Sequence, residues 1–221
     1  ALTGKNQHTG NWPGKTVELA QGQRDYKGRS YRLVDLPGTY SLISRSPEER
    51  VAEEFLTDGG ADCTVAVCDA TCLERSLILA LQVRALCPRM VLCVNLLDEA
   101  ERLGLQIELS ALERAFHAPV VGTSAADRTA PERLMEAVRA VCEGFAPQQE
   151  PSEREALRGA DEAASDAIAR AYVRQAQALA ARCVHREEAP RRTLTERLDR
   201  ILLHKIYGYA ALLVLLLGVF W

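Results

Sequence analysis

Apolar residues in the first two thirds of this chain come mostly as short runs. Tyr31–Val34, Thr64–Cys68, Met90–Val94 and Val120–Gly122 are brief apolar stretches, each followed by a turn or a polar residue. Strands buried on both faces read this way. Val17–Gln21 adds a further strand candidate. Between and after these runs, apolar positions recur at helical spacing over Pro47–Leu56, Leu73–Leu86, Leu109–Phe116 and Pro131–Cys142. Pro131 suits a first helical turn, where its missing N–H costs nothing. Strand-then-helix alternation predicts an α/β fold with a mostly parallel sheet and helices on both sides.

The pattern changes at Pro147. Pro147–Glu155 is polar and proline-punctuated, as a linker is. Glu155–His185 is rich in Ala, Arg and Glu, with Ile168, Tyr172, Ala176 and Leu179 at helical spacing. A second break falls at Ala189–Thr193. Leu194–His204 then reads as a helix, with Leu194, Leu198, Ile201 and Leu202 on one face. Ile206–Trp221 is uncharged and strongly apolar. At about 1.5 Å per residue this run spans about 24 Å, against a hydrocarbon core of roughly 30 Å. It is expected to be the first part of a transmembrane helix rather than a buried soluble one. Arg197, Arg200, His204 and Lys205 stand just before it and predict that the preceding residues lie in the cytoplasm. The expected units are residues 1–146, 147–193, 194–205 and 206–221.

Composition adds little beyond exclusions. The chain has 221 residues, 48% hydrophobic and 26% charged, with a net charge of −3. No concentrated basic face points to nucleic acid. Seven cysteines occur without a CxxC pair, and Cys68 and Cys72 have no second pair or histidine to complete a zinc site. Reduced, mostly buried thiols are expected.

Candidate chemistry sits where open α/β sheets bind ligands, at the ends of predicted strands. Asp35-Leu36-Pro37-Gly38 follows Tyr31–Val34, Asn95-Leu96-Leu97-Asp98 follows Met90–Val94, and Thr123-Ser124-Ala125 follows Val120–Gly122. Each string alone is weak, and Asp98 or Asp35 could simply cap a helix or end a turn. In this order, each after its own strand, they match the signature of a Ras-like GTPase. A carboxylate at Asp98 can accept from the guanine N1–H and exocyclic amine, a donor pair that adenine lacks. Asn95 would brace the surrounding loops, and a backbone N–H of Ser124 or Ala125 would meet the guanine O6. Asp35 would hold Mg²⁺ through water, and Gly38 would let a backbone N–H approach a terminal phosphate. Upstream, Gly14-Lys15-Thr16-Val17 lies in a Gly/Pro loop before a strand. Thr16 stands where such enzymes place the switch threonine that binds Mg²⁺ and touches the γ-phosphate.

Longer strings make the resemblance specific. GNWPGKTVE, DLPGTYSL, SPEERVAEEFL, DATCLERSLILALQ and NLLDEAERLGLQI all resemble the ferrous iron transport protein B family. The likeness runs from Ala1 through about Cys142 and resumes at Leu198–Gly208. It implies a Ras-like P-loop GTPase domain and a helical spacer likened to a dissociation inhibitor. Entry into the first membrane helix follows. GTP or GDP and Mg²⁺ are the implied cofactors, with K⁺ a candidate second cation. The implied parent is a bacterial inner-membrane transporter whose Fe²⁺ uptake is gated by GTP binding or hydrolysis, this region facing the cytosol. A small accessory protein and a homo-oligomer are candidate partners. The alternative weighed against this is a soluble GTPase of ribosome or tRNA maturation.

Departures from the family pattern shape the expectations. The family's GxxxxGK[ST] loop would fall about a dozen residues before Ala1. The chain is therefore expected to be a piece of a longer product, with little GTP affinity or hydrolysis of its own. Thr39-Tyr40 follows Gly38 where Ras-type enzymes carry a water-orienting glutamine, so hydrolysis is expected to be slow. Glu48, Glu49, Glu53 and Glu54 are read as a solvated helix face rather than an iron lure.

Overall fold

The computed structural model of the protein describes residues 7–11, 18–36, 47–57, 60–144 and 162–186. Strands β1 (Gln7–Asn11), β2 (Glu18–Tyr26) and β3 (Arg29–Asp35) form an antiparallel meander. A two-residue loop, Lys27-Gly28, joins β2 to β3, with Tyr26 paired to Arg29. Both loop residues have positive φ, 46° and 80°. That twist is the one antiparallel hairpins prefer, and glycine at the second position adopts it without strain.

A second sheet is parallel. Its strands are β4 (Thr64–Asp69), β5 (Met90–Asn95) and β7 (Val120–Gly122), in the order β4-β5-β7. The expected parallel sheet with helical crossovers is thus found in this half of the α/β unit. The preceding half is antiparallel because a two-residue loop can only reverse the chain. Among the described strands, none of the meander is hydrogen-bonded to the parallel sheet.

Central strand β5 explains why the parallel sheet is stable. Met90, Val91, Leu92 and Val94 are fully buried, because helices cover both faces. Leu92 and Val94 face α2 (Leu73–Leu86) and α4 (Leu109–Phe116), packing with Leu73, Leu77, Leu81, Leu112 and Phe116. Val91 and Cys93 face α5 (Ala130–Gly144), against Leu134, Val138 and Val141. Burying each such large side chain contributes about 1.5–3 kcal/mol. α1 (Pro47–Thr57) closes a third, smaller cluster in which Val51 and Phe55 meet Val34 and Leu36.

The long helix after the linker, α6 (Glu162–Cys183), shares the main core. Ala176, Leu179, Ala180 and Cys183 are buried in the same cluster as Leu77 and Leu81. Three of these four are small, which lets α6 lie close along α2. Its end is pinned by a two-stranded ribbon: β8 (Val184–Arg186) runs antiparallel to β6 (Leu105–Ile107). The N–H of Glu108 donates to the Cys183 carbonyl at 2.8 Å, extending that ribbon. The expected boundary near Pro147 and the expected segments 194–205 and 206–221 lie outside the described residues. Among the described residues, no helix is long and apolar enough to cross a membrane.

Candidate functional site

The C-terminal ends of β5 and β7 lie side by side, and this adjacency gathers two of the three expected motifs. Val94 pairs with Gly122, so the chain leaves both strands at one level. The Thr123 N–H donates to the Val94 carbonyl at 2.8 Å, and the Leu97 N–H donates to the Thr123 carbonyl at 3.2 Å. The Thr123 hydroxyl donates to Asn95 Oδ1 at 2.8 Å. The loop after β5 is thus tied to the loop after β7 through the Asn95 side chain and through the backbone of Val94 and Leu97 on either side of it.

The next three residues turn into a short helix, α3 (Leu97–Arg102). Leu96 holds a left-handed conformation, φ 63°, and the residue is 36% exposed. An apolar γ-branched residue in that region carries strain, of order 1 kcal/mol or more, of the kind that collects at binding sites. Leu97 turns inward and packs on the main core. Asp98 stands half-buried in the first turn of α3, where the helix dipole favours a carboxylate. Its Oδ1 accepts from the Glu99 N–H at 3.1 Å. The bond is a local one to the next residue and not a cap: Leu96 holds the N-cap position of α3, with no side-chain cap bond, so the plainer reading of Asp98 as a helix cap is not met. A carboxylate offers about four acceptor positions, so one such bond leaves capacity for a ligand.

The loop after β7 is built as a clamped turn. Ser124 and Ala125 sit at its crest, and the Asp127 N–H closes back on the Ser124 carbonyl at 3.2 Å. Asp127 Oδ1 accepts from the Thr129 N–H at 2.9 Å and from the Thr129 hydroxyl at 2.7 Å. The Thr129 hydrogen bonds hold the Asp127 carboxyl below the usual carboxylate range. Arg133, on α5, donates from Nη2 to the Gly122 carbonyl at 2.9 Å and also to Asp127 Oδ2. Gly122 admits no side chain: a Cβ there would come within 2.5 Å of Leu97 Cδ1 and 2.8 Å of Leu109 Cδ1.

Asp69, one strand over, ends β4 level with Asn95. Its Oδ1 accepts from the Thr71 hydroxyl and the Thr71 N–H, at 2.7 and 2.8 Å, capping a short 3-10 turn, Ala70–Cys72. Those bonds lower its carboxyl below the usual range. Asp69, Asp127, Thr129 and Arg133 did not stand out in the sequence. The Asp-x-Thr spacing shared by Asp69–Thr71 and Asp127–Thr129 was the available signal, since aspartate so placed folds back on the backbone two residues on.

The third motif lies on the other sheet. Asp35 is exposed at the end of β3, paired with Ala20 of β2, and Leu36 packs toward Val51 and Phe55 of α1. Pro37 and Gly38 lie outside the described residues, as do Gly14, Lys15, Thr16 and Val17. The expected Mg²⁺ pair, Thr16 and Asp35, thus has only its second member in the described fold. Among the described residues, no group of three or more His, Cys, Asp or Glu side chains converges as a metal site. All seven cysteines are free thiols. Burial pushes those of Cys63 and Cys68 up to about 12, so they stay protonated and inert at neutral pH.

Comparison with known proteins places this arrangement. Residues 1–138 match the family model for ferrous iron transport protein B. The Fe(2+) transporter FeoB of Campylobacter jejuni is 32% identical over 98% of this chain and 34% of its own length. That of Escherichia coli K12 is 41% identical over 54% of this chain and 16% of its own length. The chain thus spans about a third of the curated relatives it matches along its whole length. Among solved structures, the cytosolic domain of the T. maritima FeoB iron transporter in a GDP form superposes with TM-score 0.72 at 26% identity. It covers 83% of this chain and 92% of that one. The T. maritima G domain alone gives TM-score 0.59 at 37% identity, over 64% of this chain and 87% of that one. The architecture is therefore that of a Ras-like P-loop GTPase fold.

Proposed function

Since the chain belongs to the ferrous iron transport protein B family, we propose that it is the guanine-nucleotide-sensing part of a membrane Fe²⁺ transporter, working on the cytosolic side. In this reading nucleotide binding or hydrolysis gates iron entry. The observation that carries the nucleotide half is the Asn95–Thr123 hydrogen bond, at 2.8 Å. It brings an Asn-x-x-Asp loop and a Thr-Ser-Ala loop together at the ends of adjacent parallel strands.

The residues suit a guanine base. Asp98 supplies the acceptor for N1–H and the exocyclic amine. The turn at Ser124 and Ala125 presents backbone N–H groups for O6. Asn95 holds the two loops in register. Adenine offers neither the donor pair nor the carbonyl, so its binding would leave polar groups unpaired at a cost of about 1–3 kcal/mol each. Asp35 and Thr16 would share Mg²⁺, Gly14–Val17 and Leu36–Gly38 would border the phosphates, and K⁺ is a candidate second cation. A bound triphosphate with Mg²⁺ would supply the γ-phosphate whose loss resets the switch. A small accessory protein and self-association belong to the same proposal. Family membership supports the transporter reading over a soluble GTPase of ribosome or tRNA maturation.

The test is competition. GTP, ITP and ATP are titrated against a fluorescent GDP analogue on the chain, and Fe²⁺ uptake by the full-length protein in proteoliposomes is followed with each nucleotide. Displacement in the order guanine, hypoxanthine, adenine is expected, with uptake responding to GTP alone. Equal displacement by ATP would remove the guanine assignment, and uptake indifferent to nucleotide would remove the gating.

A further inference from the structure

We infer that Arg133 and Asp127 are positioning residues that set the Ser124–Ala125 turn against the O6 edge of the base, so that one determinant of guanine recognition lies on helix α5. This rests on the guanine reading above. The geometry is a three-point clamp. One guanidinium nitrogen of Arg133 bonds the Gly122 carbonyl at 2.9 Å, at the last residue of β7, and the carboxylate of Asp127, at the far side of the turn. Thr129 holds the other oxygen of the same carboxylate from two directions, at 2.7 and 2.9 Å. The turn between these anchors carries Ser124 and Ala125. Its own closing bond is one backbone contact of 3.2 Å. Without Arg133, the Thr123 contacts would still hold the near side of the turn, and that single bond and the Thr129 contacts would be left to define the far side.

Energetics separate this role from a structural one. The Arg133–Asp127 pair is substantially exposed, with side chains 54% and 29% accessible. Exposed pairs contribute little to global stability. The fold beneath is carried by the buried contacts of Leu134, Val138 and Val141 on the same helix. Losing the clamp should therefore loosen the turn and leave the domain folded. The two halves of base recognition meet at Thr123, which bonds Asn95, Val94 and Leu97, but Arg133 touches neither Asp98 nor that junction. Its partners, Gly122 and Asp127, flank the Ser124–Ala125 turn alone. A change at Arg133 should weaken the O6 contact and spare the contact to the exocyclic amine.

That split is the test. GDP, 6-thio-GDP and IDP are titrated into the wild-type chain, Arg133→Met, Arg133→Lys and Asp127→Asn, followed by amide chemical shifts so that millimolar affinities are readable. 6-Thio-GDP keeps N1–H and the amine but offers sulfur in place of O6. IDP keeps O6 and lacks the amine. Arg133→Met should narrow the GDP to 6-thio-GDP ratio by about fivefold, leaving the GDP to IDP ratio within about twofold and the melting temperature unchanged. Arg133→Lys, reaching one partner at a time, should fall between. Asp127→Asn retains an acceptor for Thr129 and removes the ion pair, so it should reproduce Arg133→Met. Both ratios falling together, or neither, would overturn the inference. Wild-type protein that binds ADP as well as GDP would instead overturn the guanine reading beneath it.

Discussion

Lys27, at the tip of the β2–β3 hairpin, donates to Glu136 on α5 at 2.7 Å, joining residues 109 positions apart in the sequence. Tyr26 reaches the same carboxylate at 3.1 Å, and Arg139 grips it from within α5 at 2.6 Å. Arg24 adds a contact to Glu132 at 3.2 Å, one turn earlier. The meander shares no strand pairing with the parallel sheet among the described residues, so these polar contacts, with Tyr31 packed on the cluster of Leu134, Val138 and Val141, fix how its tip meets α5. The hairpin ends, through β3, at Asp35. Its attachment therefore bears on Asp35 and Leu36, the two described motif residues that lie away from the loops after β5 and β7.

Glu136 should make this attachment sensitive to acid. Hydrogen bonds from Arg139 first and Lys27 second lower its carboxyl from the usual 4.5 to about 2. A group depressed in the folded state stabilises above its unfolded value, and that contribution fades as pH falls through the folded one. The window is thus between about 4.5 and 2. The melting temperature of wild type should exceed that of Glu136→Gln at neutral pH, and the gap should close across that window. A gap independent of pH would show that Glu136 acts by packing rather than charge.

Base specificity should reside in Asp98. Asp98→Asn replaces an acceptor by an amide that can donate where xanthine carries a carbonyl. The GTP to XTP affinity ratio should fall by on the order of tenfold to a hundredfold, the worth of a charged hydrogen bond. Nucleotide competition measures it. An unchanged ratio would leave Asp98 with only its local bond to the Glu99 N–H.

Gly122 and Gly144 should differ sharply in their tolerance of alanine. A Cβ at Gly122 meets Leu97 Cδ1 at 2.5 Å and Leu109 Cδ1 at 2.8 Å. Both atoms are side-chain ends, so rotation can relieve part of the clash. However, both leucines pack on the main core, and the cost should be about 1–2 kcal/mol. Leu97 sits inside the Asn95–Asp98 motif, so guanine affinity should fall with it. At Gly144 a Cβ meets nothing within 4 Å, and the change should stay within about 0.5 kcal/mol. Urea midpoints of the two variants decide this.

How much of this was legible beforehand depended on where each element gets its stability. Met90–Asn95 announces itself because a strand buried on both faces must be apolar throughout, and Leu73–Leu86 and Leu109–Phe116 match their predicted ends. The strand seen as Val17–Gln21 runs instead from Glu18 to Tyr26. Its second half, Gln23, Arg24 and Asp25, is polar and is held by ladder pairing to β3 rather than by burial. β6 and β8 are three residues each and pair across a long stretch of sequence, Leu105 with Arg186, so no local pattern could have found them. The loops after β5 and β7 were readable as strings at strand ends. Their clamp was not, because Arg133 reads as an ordinary exposed helical arginine until α5 is laid beside β7.

The helix beyond the linker should be an integral part of the fold. Ala176 is fully buried and sits with Leu179, Ala180 and Cys183 in the cluster that includes Leu77 and Leu81 of α2. A small residue there sets the distance between the helices, and packed interiors do not absorb added volume. Ala176→Leu should cost about 1–3 kcal/mol by overpacking. Ala176→Asp would bury an unpaired charge and should cost more. The ribbon of β6 and β8 ties the end of α6 to the segment just after α3, so α6 cannot move off without straining those pairs. Hydrogen exchange separates the possibilities. If α6 is integral, Ala176→Asp should raise exchange in α6 and also in α2 and β6. If α6 docks as an independent body, exchange should rise in α6 alone while α2 and β6 keep their protection.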